Sequence, residues 1–243
     1  MSASDVFLSV IIPAYNEEKR LPATLDAVLR YLQRQPYTWE IDIVDDGSHD
    51  ATAQIVRNAS ARDQRVTLWQ YGKNRGKGYA VQYGMTHARG QYRLFMDADN
   101  STTIDHLDQF MPYITEGYDV VIGSRHIAGA DIAVHQAWWK EWLGKLGNVW
   151  IRVWAVPHIH DTQAGFKVFS ARAAKAVFPY LTLSGWGFDV EALAVARHRG
   201  FRIAEHPIRW RNDPNSKVKP GAYLHVLVEV VKVRLNLIGG RYG

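Results

Sequence analysis

The sequence predicts an α/β fold, a mostly parallel sheet with helices on both faces. Three observations predict it. Short apolar, β-branched runs alternate with segments of helical periodicity through the first half of the chain, the pattern of strands joined by crossover helices. Four polar clusters follow the apolar runs: Pro13 to Glu18, Asp45 to Asp50, Lys73 to Gly78 and Asp97 to Asp99. Ligands of such sheets bind beyond the carboxyl ends of the strands, so the clusters mark one sheet edge as the functional one.

Phe7 to Ile12 reads as the first strand, ended by Pro13. Leu21, Leu25, Val28, Leu29 and Leu32 recur at helical spacing. Trp39 to Val44 is the second strand, and Ser48 or Asp50 is placed to cap a helix over roughly 51–61. Val66 to Gln70 is the third strand, Gly76 to Ala88 a helix, Tyr92 to Met96 a fourth strand and Val120 to Ile122 a further short one. Past about residue 125 the alternation fades. An aromatic helical stretch, the segment Gln163 to Phe169, a helix near 189–199 and a C-terminal amphipathic helix follow.

The chain's 243 residues can bury a sizeable core and read as one domain with additions. Apolar content of 47% and charged content of 22% are those of a folded globular protein. With no cysteine, disulfides, thiol nucleophiles and thiolate metal sites are excluded, which suits a reducing compartment. Met1-Ser2-Ala3-Ser4-Asp5 lacks the basic-then-apolar layout of a signal peptide. The best candidate for a membrane span, Tyr223 to Ile238, is interrupted by Glu229, Lys232 and Arg234. A charge of +5 and a pI near 9.3 fit nucleic acid, anionic lipid or a phosphorylated substrate. The basic residues are spread along the chain, which argues against nucleic acid.

Asp97-Ala98-Asp99 closes the run Tyr92 to Met96. Side chains two apart on a strand point the same way, so both carboxylates can face one spot above the sheet edge. Adjacent acids repel, and one takes up a proton unless a cation neutralises the pair. Hard oxygen ligands suit magnesium or manganese, which commonly carries a diphosphate. Alone, the doublet also reads as a solvated acidic turn. The loop Pro13-Ala14-Tyr15-Asn16-Glu17-Glu18 can lie along a nucleoside, or its Asn and Glu can cap the first helix. In Asp45-Asp46-Gly47-Ser48, glycine permits a sharp turn and close approach. A carboxylate there can accept from a pyrimidine imide N–H or close an Asx turn. Asn74-Arg75-Gly76-Lys77-Gly78 opens a helix whose N–H groups, with Arg75 and Lys77, would attract phosphate. It is no Walker loop, because three residues separate Gly72 from Gly76 and Gly78 replaces the metal-binding hydroxyl. No Gly-x-Gly-x-x-Gly follows the first strand, which argues against a nicotinamide or flavin site. His158 and His160 beside Asp161 lack a third ligand for zinc and read as loop residues.

Together, Ile12-Pro13-Ala14-Tyr15-Asn16-Glu17-Glu18, Val44-Asp45-Asp46-Gly47-Ser48, Asn74-Arg75-Gly76-Lys77-Gly78 and Asp97-Ala98-Asp99 resemble family-two glycosyltransferases, which have the GT-A (Rossmann-like) fold and use nucleotide sugars. Gly123-Ser124-Arg125, Asp161-Thr162-Gln163-Ala164-Gly165-Phe166-Lys167, Gly187-Phe188-Asp189-Val190-Glu191 and Asn215-Ser216-Lys217 are similar to the dolichyl- or polyprenyl-phosphate glucosyltransferase branch. The resemblance runs from about Leu8 to Leu237. It implies a single GT-A domain over 1–243, with a nucleotide-sugar half at about 6–122 and an acceptor half at about 123–243 that ends in acceptor-side helices. It also implies roles. Pro13, Ala14, Tyr15, Glu17, Asp45 and Asp46 would hold the nucleoside, with uridine expected. Lys77 would lie near the phosphates and Gln163 on the donor side. Asp97 would meet the ribose or the metal, and Asp99 would ligate Mg2+ or Mn2+, with Ala98 between them. Arg125 and Lys217 would meet phosphate, and Asp189 stands where relatives place a catalytic acid. Mannosyl-type members often have Asp-Phe-Arg where this chain has Gly165-Phe166-Lys167, so a base at that position is absent.

The implied reaction is inverting transfer of a hexose, glucose by branch, from a nucleotide sugar to a polyprenyl or dolichyl phosphate. A soluble acceptor or another sugar is the alternative within the class, and a non-catalytic nucleotide-sugar binder is the alternative outside it. Five of nine tryptophans (Trp138, Trp139, Trp142, Trp150 and Trp154) cluster together, as at a membrane interface or as core packing. The stripe Leu224, Leu227, Val228, Val231 and Leu235, with Lys232 and Arg234 off it, can lie on a bilayer or cover the catalytic domain. The expectation is a cytoplasmic protein at the membrane surface, attached peripherally.

Overall fold

The computed structural model describes residues 6–134, 147–211 and 221–243. Its first half runs β1 (Leu8–Ala14), α1 (Leu21–Leu32), β2 (Trp39–Asp45), α2 (Thr52–Arg62), β3 (Val66–Gln70), α3 (Lys77–His87), β4 (Tyr92–Met96), α4 (Leu107–Thr115) and β5 (Val120–Ser124). The second half runs β6 (Asp131–Val134), α5 (147–154), β7 (Phe166–Ser170), α6 (Ala171–Val177), α7 (Phe188–His198), β8 (Ile203–Pro207), β9 (Arg209–Arg211) and α8 (Gly221–Ile238).

Seven strands form one sheet in the order β3-β2-β1-β4-β7-β5-β8, and β6 pairs with β9 in a small second sheet. All neighbours in the large sheet are parallel except β7, which runs antiparallel between β4 and β5. The expected α/β class is borne out. β1, β2 and β5 are buried along their whole length, as strands covered on both faces must be. One core, with Ile11, Val44, Phe95, Phe169 and Phe188, lies under α3, α6, α7 and α8. The other, with Val10, Ile12, Ile43, Leu94 and Phe166, lies under α1, α2 and α4.

Several boundaries differ from the sequence reading for physical reasons. Pro13 sits inside β1 instead of ending it. The Ala14 carbonyl accepts from Asp46 N–H on the β2 side, so the missing N–H of Pro13 would face β4, where pairing has already stopped at Ile11. Neither expected residue is the N-cap of α2, which is Ala51 with no side-chain cap; Asp50, one residue earlier, accepts the Thr52 N–H on Oδ1 at 3.0 Å, and the Ser48 hydroxyl accepts from Asn16. Asp97 and Asp99 lie in a turn past the end of β4, so strand alternation does not orient them.

α8 answers the two-way reading of its stripe with two faces. Val226, Val230 and Val233 are buried in the core beside α7, and Val228 and Leu235 of the named stripe are exposed on the other side. In α5, the Trp150 and Trp154 rings lie against each other at a tilt of 30°, with centroids 5.0 Å apart, and remain partly exposed. Trp138, Trp139, Trp142 and Leu224 lie outside the residues whose side chains are described. Among the described residues, no helix is long and apolar enough to cross a membrane.

Candidate active site

The site lies where the carboxyl ends of β1, β2 and β4 meet the loop before α7. Register brings Ala14, Asp45 and Gln70 into line across β1, β2 and β3. The loops beyond them are stitched together. Asn16, at φ 53°, donates its N–H to Ser48 Oγ at 2.9 Å and accepts from His49 N–H at 2.8 Å. Glu17 N–H donates to Thr52 Oγ1, and its carboxylate grips Arg20 at 2.5 Å. Asp45 is buried, with Oδ1 accepting from Ser48 N–H at 3.0 Å and Oδ2 from Gln70 Nε2 at 2.9 Å. Beside it lies a shallow, open cleft of about 360 Å³ lined by Gly47, Ser48, His49, Gln70, Tyr71 and Gly72. Pro13 and Ala14 are buried in β1, and Tyr15 is half-buried at its end. Gln70, which the sequence reading leaves as the end of an ordinary strand, and Tyr71, to which it gives no role, become walls of this cleft.

Asp46 takes a different place from Asp45. Its oxygens accept from Tyr71 OH at 3.0 Å, Arg75 N–H at 2.7 Å and Gly76 N–H at 2.9 Å. Gly78 N–H donates to the Ser184 carbonyl at 2.8 Å. These amide groups at the start of α3, read from the sequence as a phosphate cradle, are thus occupied by the protein's own oxygens. The Arg75 guanidinium lies over Tyr79, 3.5 Å from the ring centroid. Lys77 is the cation of this motif that reaches the acidic doublet, with its Nζ 2.6 Å from Asp97 Oδ1. Burial works to lower the Lys77 pKa, but Asp97, Asp189 and Asp99 outweigh it and hold the pKa above the usual lysine range.

Asp97 leans over Gly165, where any Cβ would overlap its carboxylate. Burial, reinforced by Asp97, raises the Asp99 pKa against the opposing Ser101 N–H, 2.9 Å from Oδ1. The Oδ1 of Asn100, next in the chain, is buried and has no hydrogen-bond partner among the described residues.

Asp189, in the first turn of α7, is buried and 2.6 Å from the Nζ of Lys167. Lys167 is itself only 1% exposed and also donates to the Ala164 carbonyl. Burial raises the Asp189 pKa, Lys167 and Lys77 oppose it, and the net shift is upward. The sequence reading gives Lys167 no role of its own. Its signal is a lysine inside an otherwise apolar strand, Phe166-Lys167-Val168-Phe169.

Arg125 is held in a fork by the fully buried Asp161, at 2.7 Å from Nε and 2.9 Å from Nη2. Burial works against the Asp161 charge, but Arg125 and His126 outweigh it and hold its carboxyl well below the usual range. Arg125 also feels the charges of Asp97 and Asp189, which places it on the same cluster. Gln163 follows on the turn that Asp161 closes through the Gln163 N–H. Glu191, two residues past Asp189, instead accepts from Thr182, Leu183 and Tyr242. Lys217 lies outside the described residues. His160 pairs with Glu205 at 2.8 Å, and among the described residues no three His, Asp or Glu side chains gather as a metal site.

Within this cluster Asp97, Asp99, Asp161 and Asp189 face Lys77, Lys167 and Arg125, an excess of one negative charge among the described residues. Two carboxylates and a buried, unpartnered amide oxygen in one turn are hard oxygen donors of the kind a divalent cation such as Mg2+ or Mn2+ would accept.

The glycosyl transferase family 2 model matches residues 9–178. A dolichyl-phosphate beta-glucosyltransferase of Trichomonas vaginalis is 36% identical over 250 aligned residues, covering 98% of this chain and 74% of that protein. The human dolichyl-phosphate beta-glucosyltransferase is 33% identical, covering 97% of this chain and 77% of that protein. Among solved structures, glucosyl-3-phosphoglycerate synthase from Mycobacterium tuberculosis, in complex with Mn2+, UDP-glucose and phosphoglyceric acid, superposes with a TM-score of 0.68 at 17% identity, over 96% of this chain and 80% of that one. With the family model covering most of the chain and these relatives nearly all of it, the chain belongs to glycosyl transferase family 2.

Proposed function

We propose that the protein transfers glucose, with inversion, from UDP-glucose to a polyprenyl or dolichyl phosphate at a membrane surface. The observation that carries this reading is the convergence of Lys77, Asp97, Asp99, Asp189 and Arg125 at the carboxyl edge of the sheet, in a chain whose relatives over nearly their whole shared length are dolichyl-phosphate beta-glucosyltransferases. The cleft beside Asp45 takes the nucleobase, with Tyr15 and Glu17 on the loop after β1 among the residues that hold the nucleoside, and Asp46 holds the loop that presents Lys77. Asp97 and Asp99 would hold Mg2+ or Mn2+, which would supply positive charge to the departing diphosphate.

The acceptor needs little help with its proton. A phosphate monoester has its second pKa near ~6, so its oxygen reaches the site ionised. That oxygen attacks the anomeric carbon, the bond from that carbon to the β-phosphate oxygen breaks, and UDP leaves with the bonding pair. Lys77 faces the charge that develops on the leaving group, and Arg125, with Lys217, draws in the acceptor phosphate. Asp189, pinned through one oxygen by Lys167, orients the sugar and the attacking group and takes up no proton.

The acceptor reaches the site from a bilayer, and the neighbouring helices α5 and α8 supply the contact. Val149, Trp150, Val153 and Trp154 on α5 and Val228, Leu235 and Ile238 on α8 are exposed. Trp150 Nε1 donates to the Leu227 carbonyl at 3.4 Å, which ties the two helices together. Lys232 and Arg234, off the apolar stripe, add attraction to anionic lipid.

The test is transfer of radiolabelled glucose from UDP-glucose to a polyprenyl phosphate with magnesium, comparing wild type with Asp99→Ala. Butanol-extractable label is expected from wild type and a loss of at least about a hundredfold in the variant. Metal-dependent UDP release without a lipid product would redirect the acceptor to a soluble molecule. Failure to bind any nucleotide sugar would overturn the reading.

A further inference from the structure

We propose that Trp186 is the wall that receives the hexose of the donor, and that Glu229, on α8, is the residue that positions it. The inference rests on the proposed function and adds to it a sugar-recognising side chain held in place by the C-terminal helix.

Trp186 is 36% exposed, whereas Phe188, two residues on, is 1% exposed and belongs to the core. The Lys77 ammonium lies 5.1 Å from the Trp186 ring centroid and 2.6 Å from Asp97. The indole therefore stands next to the cation that faces the diphosphate, three residues ahead of Asp189 in the chain. A hexose has a polar rim and apolar C–H faces, and an indole with an open face beside polar groups matches it. Unlike the ring of Phe188, that of Trp186 is left partly open, and it is open beside Lys77.

The loop that carries it is anchored on both sides of the ring. Thr182 and Leu183 donate their N–H groups to Glu191 at 2.9 Å and 2.8 Å. The Ser184 carbonyl accepts from Gly78 N–H at 2.8 Å. Gly187 N–H donates to Glu229 Oε2 at 2.9 Å. Between these anchors a fixed backbone presents one large side chain. Glu229 is a lone acid on a helix whose inward residues Val226, Val230 and Val233 are apolar, and burial raises its pKa. A carboxylate in that setting is costly unless its bond is needed, and the bond it makes fixes the residue just ahead of α7. A Cβ on Gly187 would press on the same carboxylate, so loop and helix fit each other at van der Waals distance. Glu229 thereby sets both Trp186 and the start of the helix that bears Asp189.

Equilibrium titrations of the full chain with UDP and with UDP-glucose, both with magnesium, separate the sugar from the nucleotide. Trp186→Ala is expected to weaken UDP-glucose about tenfold and UDP less than about twofold. In steady-state assays the loss should fall on the KM for UDP-glucose with kcat little changed, the signature of lost ground-state binding. Glu229→Ala should shift UDP-glucose in the same direction by about three- to fivefold, and Glu229→Gln, whose amide oxygen still accepts from Gly187, should restore it. Should Glu229→Ala not fold, Gly187→Ala tests the same contact from the loop side and should give the same selective loss. Equal weakening of UDP and UDP-glucose, or no change in either, overturns the inference while the proposed function stands. A wild-type protein that binds neither ligand overturns both.

Discussion

Gly165 is a glycine because Asp97 leaves no room for a side chain. A methyl group there would displace the Asp97 carboxylate, which is part-exposed and free to move, so the cost falls on the Lys77–Asp97 pair instead of on the core. Gly165→Ala is expected to lower kcat about a hundredfold, the usual scale for a misplaced electrostatic group. The unfolding temperature should move by no more than about 4 °C, as for a change of about 1 kcal/mol in a chain of this size. Steady-state kinetics and a thermal scan of the same preparation check it, and a large fall in unfolding temperature with retained activity would count against the assignment. At this scale the doublet and Lys77 were legible as candidates, because polar residues just past a buried strand or at the start of a helix stand where ligands of such sheets bind, and Asp189 was legible only through the family resemblance. The pairings were not. Lys167 finds Asp189 and Arg125 finds Asp161 across 22 and 36 residues, and no local pattern encodes which distant charge a cation will meet.

Among the elements, the strands before residue 100 were legible because parallel strands buried on both faces announce themselves as apolar runs. β7 was not, since its antiparallel course is fixed by how the chain returns to the gap between β4 and β5. β2 shows a subtler limit. In Trp39-Glu40-Ile41-Asp42-Ile43 the alternation suggests a wet face, yet Glu40 and Asp42 are both buried. Glu40 is matched by Ser9, Arg89 N–H and the Arg89 guanidinium, whereas Asp42 has the Trp69 indole N–H at 2.8 Å. Burial, with Glu40 adding to it, raises the Asp42 pKa from 3.8 to about 7. Below about pH 4 the carboxyl is protonated folded or unfolded and contributes nothing to the pH dependence. As the pH rises towards about 7 the unfolded chain loses this proton while the folded chain keeps it, so stability falls, by up to about 4 kcal/mol above that pH. Asp42→Asn keeps an oxygen for Trp69 and removes the titration. Denaturant melts at about pH 5 and about pH 8 should show a smaller decline for the variant, which should be the more stable protein at the higher pH. An unchanged pH slope would mean that Asp42 ionises as an ordinary carboxylate.

For the whole molecule, the asymmetry of the surface connects fold to function. The sheet and its two cores account for the inner faces of α5 and α8, with Ile151, Val226, Val230 and Val233 buried together. They do not account for the outer faces, where Val153 is 72% and Leu235 is 62% exposed. The sequence stripe on α8 leaves bilayer contact and domain packing as alternatives, because periodicity reports an apolar face without saying what covers it. With the domain packed on the opposite face of α8, the exposed outer side chains are the ones the proposed bilayer contact would use. Val153→Glu/Leu235→Glu should cost the fold little, since exposed sites away from special features change stability by only about 0.5 kcal/mol each. It should remove two apolar contacts worth about 3 kcal/mol together at a bilayer, roughly a hundredfold in partitioning. Cosedimentation with vesicles containing anionic lipid should fall accordingly, and transfer to a long-chain polyprenyl phosphate in those vesicles should fall with it. UDP-glucose binding and transfer to a short, water-soluble prenyl phosphate should remain near wild type, because Trp186, Lys77 and Asp99 are untouched. Equal activity of the variant on both acceptors, with vesicle binding unchanged, would remove α5 and α8 from the membrane and leave their exposed side chains to another partner.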